Sequence, residues 1–396
     1  MLLRATLWLT LPLVLLAGGC HRHRDVAAAP APKDYNKTLD PGAIALREVD
    51  INSLPAVTLT PKLRADLQSG INASLSYLAK PTSNKTFPVA NVTHDQVVAS
   101  LHALADLLNA APDDATFNSQ LHARFRALMS VGCDDQGTVL FTGYYTPVFA
   151  ASLTRDTVYK YPLYKLPADL VKPAVPGQGP AMQKMPDGTT RPYPDRATID
   201  STHFLAGNEL VWLSDPFAVY LAHVQGSARL HLPDGSTMDV GYTADNGREY
   251  HPIGADLVKD GRIPADKLSF FTIREYFRNH PDDIDLYTDR NPRYVFFATS
   301  TRGICGSLNE GVTPDVTNAT DKTIFPRGAP TFVTTTMIDA GPYNGLRLDQ
   351  DTGGAIRAPG RCDLYMGVGD DNERRAGAQY NEGKLYYLIV KDGPTQ

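Results

Sequence analysis

Apolar residues in the first third of the chain recur at three- and four-residue spacing. Leu63, Leu67, Ile71, Leu75 and Leu78 fall on one face of a predicted helix. A second helix is predicted by Val97, Leu101, Leu104 and Leu108. It opens at Thr93-His94-Asp95-Gln96, where Thr93 and Gln96 can each satisfy the other's backbone N–H. Phe117, Leu121, Phe125 and Leu128 continue the helical spacing behind "APDD". From about Gly137 the period shortens to two, in "TVLFTGYY", "ARLHLPDGSTMDVGY", "RYVFFATS", "PTFVTTTMI" and "KLYYLIV". "PDGS" at 233–236 lies between two alternating runs and predicts a hairpin. One further helix is expected near 270–279, with Ser269 as its cap and Phe270, Ile273 and Phe277 on one face. The expected class is therefore mainly β with accessory helices. With 31 Gly and 30 Pro, the many short strands favour closed barrels over an open parallel sheet.

Length and charge narrow this picture. A chain of 396 residues suits two domains. A formal net charge of −5 without clustered Lys and Arg excludes a nucleic-acid binder. Arg4, the apolar run Leu7–Leu16 and Ala17-Gly18-Gly19-Cys20 read as a secretory signal over 1–20 whose end resembles a bacterial lipobox. Cys20 would then carry the lipid. His21, where an inner-membrane retention signal would place Asp, favours the outer membrane, facing the periplasm. Residues 21–45, with "AAAPAPKDYNK", read as a flexible tether. Export makes a disulfide possible among Cys133, Cys305 and Cys362, with three pairings open. No C-x-x-C or H-E-x-x-H is present, nor a P-loop or dinucleotide fingerprint, so neither metal nor cofactor is expected.

Asp351-Thr352-Gly353 is the signature of half an aspartic protease, and that chemistry needs a second such turn. Asp187-Gly188-Thr189 and Asp234-Gly235-Ser236 have the wrong order, and Asp200-Ser201 runs into Thr202. The protease reading fails. A serine hydrolase fails too, because "GSL" at 306–308 and "QGSA" at 225–228 lack the G-x-S-x-G elbow. Asp349, Asp363, Asp370 and Asp371 surround Asp351 in sequence, and "FTGYYTP" at 141–147 sets tyrosines beside a glycine. Tyrosine rings can form a wall on which sugar rings stack. A carboxylate beside such a wall suggests glycosidic chemistry, which ordinarily takes two carboxylates. One suffices where the sugar supplies its own nucleophile.

Several blocks carry a resemblance in a consistent order. They include "FTGYYTPVFAAS", "LVWLSDPFAVYLAHVQGSARLHLPDG", "VGYTADNGREYHPIG", "NPRYVFF", "DKTIFPRGAP" and "DTGGAIRAPGRCDLYMGVGD", spread over about 137–391. They resemble the membrane-bound lytic murein transglycosylase A family, with its C-terminal three-aspartate module. The resemblance implies a double-psi β-barrel from 46–149 and 242–396, the module at about 300–391, and a second small β domain inserted at 150–241. Substrate would lie in the groove between them. It implies Asp351 as the catalytic residue, with Asp321 and Asp363 in supporting roles. Thr142, Gly143, Tyr144, Tyr145, Gln225, Gly226, Ser227, Gly353, Gly354, Ala355 and Arg357 would bind substrate. The implied reaction splits the β-1,4 bond between N-acetylmuramic acid and N-acetylglucosamine in peptidoglycan strands without water, leaving 1,6-anhydro ends. A cell-wall synthesis complex would be a possible partner. The rival expectations are a non-catalytic expansin-like binder, a hydrolytic muramidase and a plain wall anchor. Arg357 stands where many members have Lys, Ala358-Pro359 replaces a glycine-containing turn, and Cys362 replaces an apolar residue. These departures touch the 357–363 loop and leave Asp351 unchanged.

Overall fold

The first helix starts where its cap dictates. Thr60 accepts the N–H of Leu63, Pro61 fills the first helical position, and the helix runs Pro61–Leu78. His94–Ala110 follows, with both bonds of the Thr93–Gln96 capping box formed. The apolar stripes of both helices, including Leu67, Ile71, Leu101 and Leu104, are fully buried. The third helix is shorter than its periodicity implied. Asp113 caps Asp114–Arg124, and the backbone then extends into the strand Phe125–Ser130. Phe125 and Leu128 therefore belong to a strand, because pairing of Phe125 with Val390 and of Leu128 with Tyr387 overrides the local helical spacing. These coordinates are a computed structural model that describes residues 33–173 and 179–391. Cys20, the signal segment and residues 21–32 of the tether lie outside the described residues.

Against these helices stands a closed six-stranded barrel. Its order is Tyr380–Val390, Pro330–Met337, Gly341–Asp351, Thr317–Ala319, Arg361–Val368 and Val139–Thr146, and the last strand pairs back onto the first. Two contacts are parallel, Thr317–Ala319 with Gly341–Asp351 and Arg361–Val368 with Val139–Thr146; the others are antiparallel. Closure removes both sheet edges. Phe125–Ser130 and Leu46–Val49 extend the sheet beyond the closure at Tyr380–Val390.

The second sheet has six strands in the order Val295–Ser300, Thr237–Asp245, Ser227–His231, Val148–Ser152, Glu209–Leu213 and Tyr161–Tyr164. A parallel bridge between Lys165 and Phe297 ties its two ends. The expected hairpin joins Ser227–His231 to Thr237–Asp245. The sheet does not stop near Gly241 as the 150–241 insertion implied, because its edge strand Val295–Ser300 pairs with Thr237–Asp245. The expected helix Phe270–Asn279 is present behind Ser269. Pro216–Gln225 and Asp370–Ala378 are also helices, where alternation had suggested only strands and turns.

Helix Asp370–Ala378 packs closely on strand Val139–Thr146. A Cβ at Gly143 would stand 2.6 Å from Ala376 Cα and 3.0 Å from its carbonyl oxygen, so only glycine admits this helix. Gly143→Ala is expected to force the helix away and cost about 1–3 kcal/mol. A lowered urea midpoint at unchanged slope would report it, and an unchanged midpoint would refute it.

Candidate functional site

Asp351 ends one of the two longest barrel strands, and the register decides what it faces. Asn318 pairs with Asp349, but Ala319 pairs with Asp351, so Gln350 is an extra residue on that strand. Such a bulge turns the chain. Ala319 also pairs with Asp363, Asp363 with Thr142, and Thr142 with Tyr380. One rung thus crosses five strands from Asp351 to Tyr380. Alternation along Val139–Thr146 puts Thr142 and Tyr144 on this face.

The Asp351 carboxyl is half-buried. Its Oδ1 accepts the backbone N–H groups of Ser307 and Thr352, each at 2.8 Å. Its Oδ2 accepts the Tyr144 hydroxyl at 2.9 Å. Burial pushes this carboxyl above the ordinary carboxylate range, against the pull of those three donors and of the Lys322 ammonium. Burial and the neighbouring Asp351 raise the Tyr144 phenol well above its usual value, so it remains a donor. The Tyr144 ring leans on Tyr365 at 5.1 Å, and the Tyr365 hydroxyl meets Thr146 Oγ1 at 2.9 Å.

The expected site residues divide into two groups. Thr142 donates to Asp363, which also lies 3.5 Å from the Arg361 guanidinium. Thr142, Tyr144, Asp351 and Asp363 are brought together. Gly353 and Gly354 form the loop that follows, where a Cβ at Gly354 would lie 3.2 Å from Tyr250 Cβ and 3.3 Å from Arg293 Cζ. The loop is thereby pressed against the second sheet's surroundings. Ala355 and Arg357 are exposed, and Arg357 makes no hydrogen bond or ion pair among the described residues. The remaining expected residues are turned into the structure. Gly143 meets Ala376, and Tyr145 is buried with its ring 6.3 Å from Phe270. Gln225 Oε1 accepts the Tyr145 N–H at 3.2 Å, and buried Ser227 meets Thr146 Oγ1 at 3.1 Å. Gly226, at φ 74°, caps the helix between them. Gln225 and Ser227 therefore fasten the second sheet to the barrel. Asp321 accepts Thr323 N and Oγ1 at 3.0 and 2.6 Å and shapes a buried turn. Asp370 and Asp371 are exposed at the start of helix Asp370–Ala378. Cys133, Cys305 and Cys362 form no disulfide.

Three participants were missed in the sequence. The Ser307 N–H comes from the "GSL" block, which carries no side-chain signal for a backbone donor. Arg293 holds Asp245 at 2.6 Å beside the Gly353-Gly354 loop, and Tyr242 donates to the same Asp245 at 2.7 Å. Lys322 pairs with Asp349 in full burial. Among the described residues no group of His, Cys, Asp and Glu is arranged to hold a metal ion.

The Tyr144 hydroxyl steadies the ionised form of Asp351. Tyr144→Phe is expected to raise the Asp351 pKa further, by less than about one unit. A carboxyl-carbon NMR titration would read the shift, and a fall in pKa would contradict it.

The chain matches the MltA specific insert domain over residues 140–298 and the 3D domain over residues 316–389. It is 30% identical over 274 residues to a membrane-bound lytic murein transglycosylase A of Vibrio cholerae, covering 67% of this chain and 69% of that protein. The Escherichia coli K12 protein of that name is 28% identical over 271 residues, covering 66% and 68%. In structure the chain resembles a membrane-bound lytic murein transglycosylase from Agrobacterium tumefaciens, with TM-score 0.72, 25% identity and 88% and 98% of the two chains covered. It also shares the fold of E. coli MltA with bound chitohexaose, with TM-score 0.67, 22% identity and 91% and 97% covered. The insert match ends at residue 298, close to the edge strand Val295–Ser300 of the second sheet. Barrel, second sheet and sequence identity agree that this chain belongs to the membrane-bound lytic murein transglycosylase A family.

Proposed function

We propose that this lytic transglycosylase cuts the β-1,4 bond between N-acetylmuramic acid and N-acetylglucosamine with Asp351 acting first as acid and then as base. The observation that carries the reading is that Asp351, alone among the carboxylates around the Tyr144 hydroxyl, has a raised pKa, partial exposure and no cation in contact. Asp200 and Asp289, also raised by burial, lie on other elements, where Asp200 accepts the Tyr294 hydroxyl. The neighbouring carboxylates are committed elsewhere. Asp363 has Arg361 and Thr142, Asp245 has Arg293, and Asp239 holds Arg229 through two bonds of 2.8 and 2.9 Å. A hydrolytic muramidase would need a second free carboxylate to activate water. With one carboxyl, the nucleophile comes from the substrate.

Atom by atom, Oδ1 already accepts two N–H bonds, which fill its lone pairs. Oδ2 accepts one bond from Tyr144 and has one position left, so the transferable proton sits there. That proton passes to the leaving glycosidic O4. The muramic C6 hydroxyl attacks its own C1 and returns its proton to Oδ2, and a 1,6-anhydro ring closes without consuming water. Asp363 and Asp321 support the site by holding Thr142 and the turn at Thr323. Exposed Arg357 offers a cation to the substrate's acidic groups, such as a peptide-stem carboxylate.

The proposal extends to location. The relatives are named membrane-bound, no helix of the described residues is long and apolar enough to cross a membrane, and the Ala17–Cys20 segment resembles a lipobox. An acylated Cys20 facing the periplasm from the outer membrane is the arrangement we infer.

Asp351→Asn is expected to abolish product release from purified sacculi while leaving the fold and glycan binding intact. Mass spectrometry of wild-type products should find muramic ends lighter by one water than the hydrolysed ends. Retained turnover in the variant would remove Asp351 from its role. Products carrying only free reducing ends would restore the muramidase, and no soluble products at all would favour the binder.

A further inference from the structure

Behind Asp351 lies a sealed ionic cluster that the reaction above does not use. Asp349 is 0% exposed and Lys322 5%. The Lys322 ammonium donates to Asp349 Oδ1. Asp349 Oδ2 accepts the hydroxyls of Thr320 at 2.8 Å and Tyr387 at 2.7 Å. Lys322 Nζ also donates to Thr320 Oγ1 at 3.1 Å. The backbone of Thr320 grips the catalytic segment from both directions. Its N–H donates to the Asp351 carbonyl at 3.1 Å, and its carbonyl accepts the Thr352 hydroxyl at 2.8 Å. A buried ion pair of this kind is seldom the cheapest way to fill a core.

We propose that Lys322 and Asp349 are positioning residues: they pin Thr320, which pins the Asp351–Thr352 backbone, and Asp349 cancels the ammonium charge that would otherwise face the catalytic carboxyl. This rests on the assignment of Asp351 above. Two observations favour it. Thr320 is bonded both to the ion pair and to the catalytic backbone. The ammonium also already draws the Asp351 pKa downward, even with Asp349 in place.

The other ionisable groups around the cluster do not supply the same charge. From strand Tyr380–Val390, burial keeps Tyr387 neutral, and from Arg361–Val368 burial does the same for Cys362, whose neighbour Asp363 has Arg361. Strand Val139–Thr146 contributes Tyr144, held neutral. Strand Gly341–Asp351 contributes Arg347, which faces Cys362 and the Tyr343 ring. The turn after Ala319 contributes Asp321 and Arg327, and helix Pro61–Leu78 contributes Tyr77 to Arg327. Arg327 donates to the Lys322 carbonyl at 2.8 Å.

The sign of the effect follows. Asp351 works protonated, so activity is lost as pH rises through its pKa. In Asp349→Asn Lys322 loses the partner that holds its proton against burial, and below its own lowered pKa the ammonium is uncompensated and stabilises the Asp351 carboxylate. The alkaline limb of the rate profile on purified sacculi should then move down by about one pH unit. Adding Lys322→Met to that variant should return the limb toward wild type. Thr320→Val removes the link without removing a charge, and should lower kcat about tenfold at unchanged KM with the limb unmoved. An unmoved limb in Asp349→Asn, or a double variant no closer to wild type than the single one, overturns the proposal. If Asp349→Asn does not fold, Thr320→Val decides, and wild-type kcat there overturns it. Asp351→Asn is measured alongside: an active Asp351→Asn sinks the acid assignment, whereas an inactive one with an unmoved Asp349→Asn limb sinks only the positioning role.

Discussion

Strand Thr317–Ala319 pairs with Gly341–Asp351 on one side and Arg361–Val368 on the other, and the arrangement of the site depends on that double pairing. Ala319 draws Asp351 and Asp363 to its two flanks. The extra residue Gln350 lets Asp351 leave the position that Asp349 holds opposite Asn318. A strand paired one residue out of step would face its side chains the other way. Gln350 is itself tied down, since its amide donates to the Gly70 carbonyl at 2.7 Å and to Ser74 Oγ at 3.0 Å. The first helix therefore secures the irregularity on which the carboxyl's direction rests.

Electrostatics then tune what geometry presents. A general acid must keep its proton near neutral pH, and partial burial of Asp351 works toward that end. Two peptide N–H groups and a phenol work against it, which holds the acid within reach of its base form. The cations nearby are largely spent. Arg361, Arg293 and Arg229 each hold an aspartate, and Lys322 holds Asp349. A cation in direct contact would have lowered the Asp351 pKa and favoured its carboxylate.

The two β units are also joined by direct contacts. The stitches at Tyr145–Gln225 and Thr146–Ser227 lie where the chain passes from barrel to second sheet. Farther out, Arg274 on helix Phe270–Asn279 meets buried Glu373 on helix Asp370–Ala378 at 2.8 Å. Removing one partner of such a pair leaves a buried charge, which is costly. The same helix Asp370–Ala378 plugs against Gly143, so the motif strand is held by close packing on one face and presents Thr142 and Tyr144 on the other.

Much of this was legible in the residues alone. The capping box at Thr93, the Ser269 cap, the "PDGS" hairpin and the alternating runs are local signals, and the local physics that produces them survives in the fold. Asp351 stood out through its glycine-rich turn, and its expected role came from the family resemblance. What local pattern could not decide was every matter of pairing between distant segments. Helical spacing ran on through Phe125 and Leu128 because nothing nearby announces a strand partner more than 250 positions away. Gln225, Ser227 and Tyr145 look like ligands in a motif, yet their partners are one another's neighbours in space. Asp349 is one more acidic residue beside Asp351 until Lys322, Thr320 and Tyr387 close around it. Residue order alone sets which groups can ionise and where caps, turns and alternating runs fall. The register of a closed barrel decides which face each group sees and how much water reaches it, and that decides which aspartate can hold a proton.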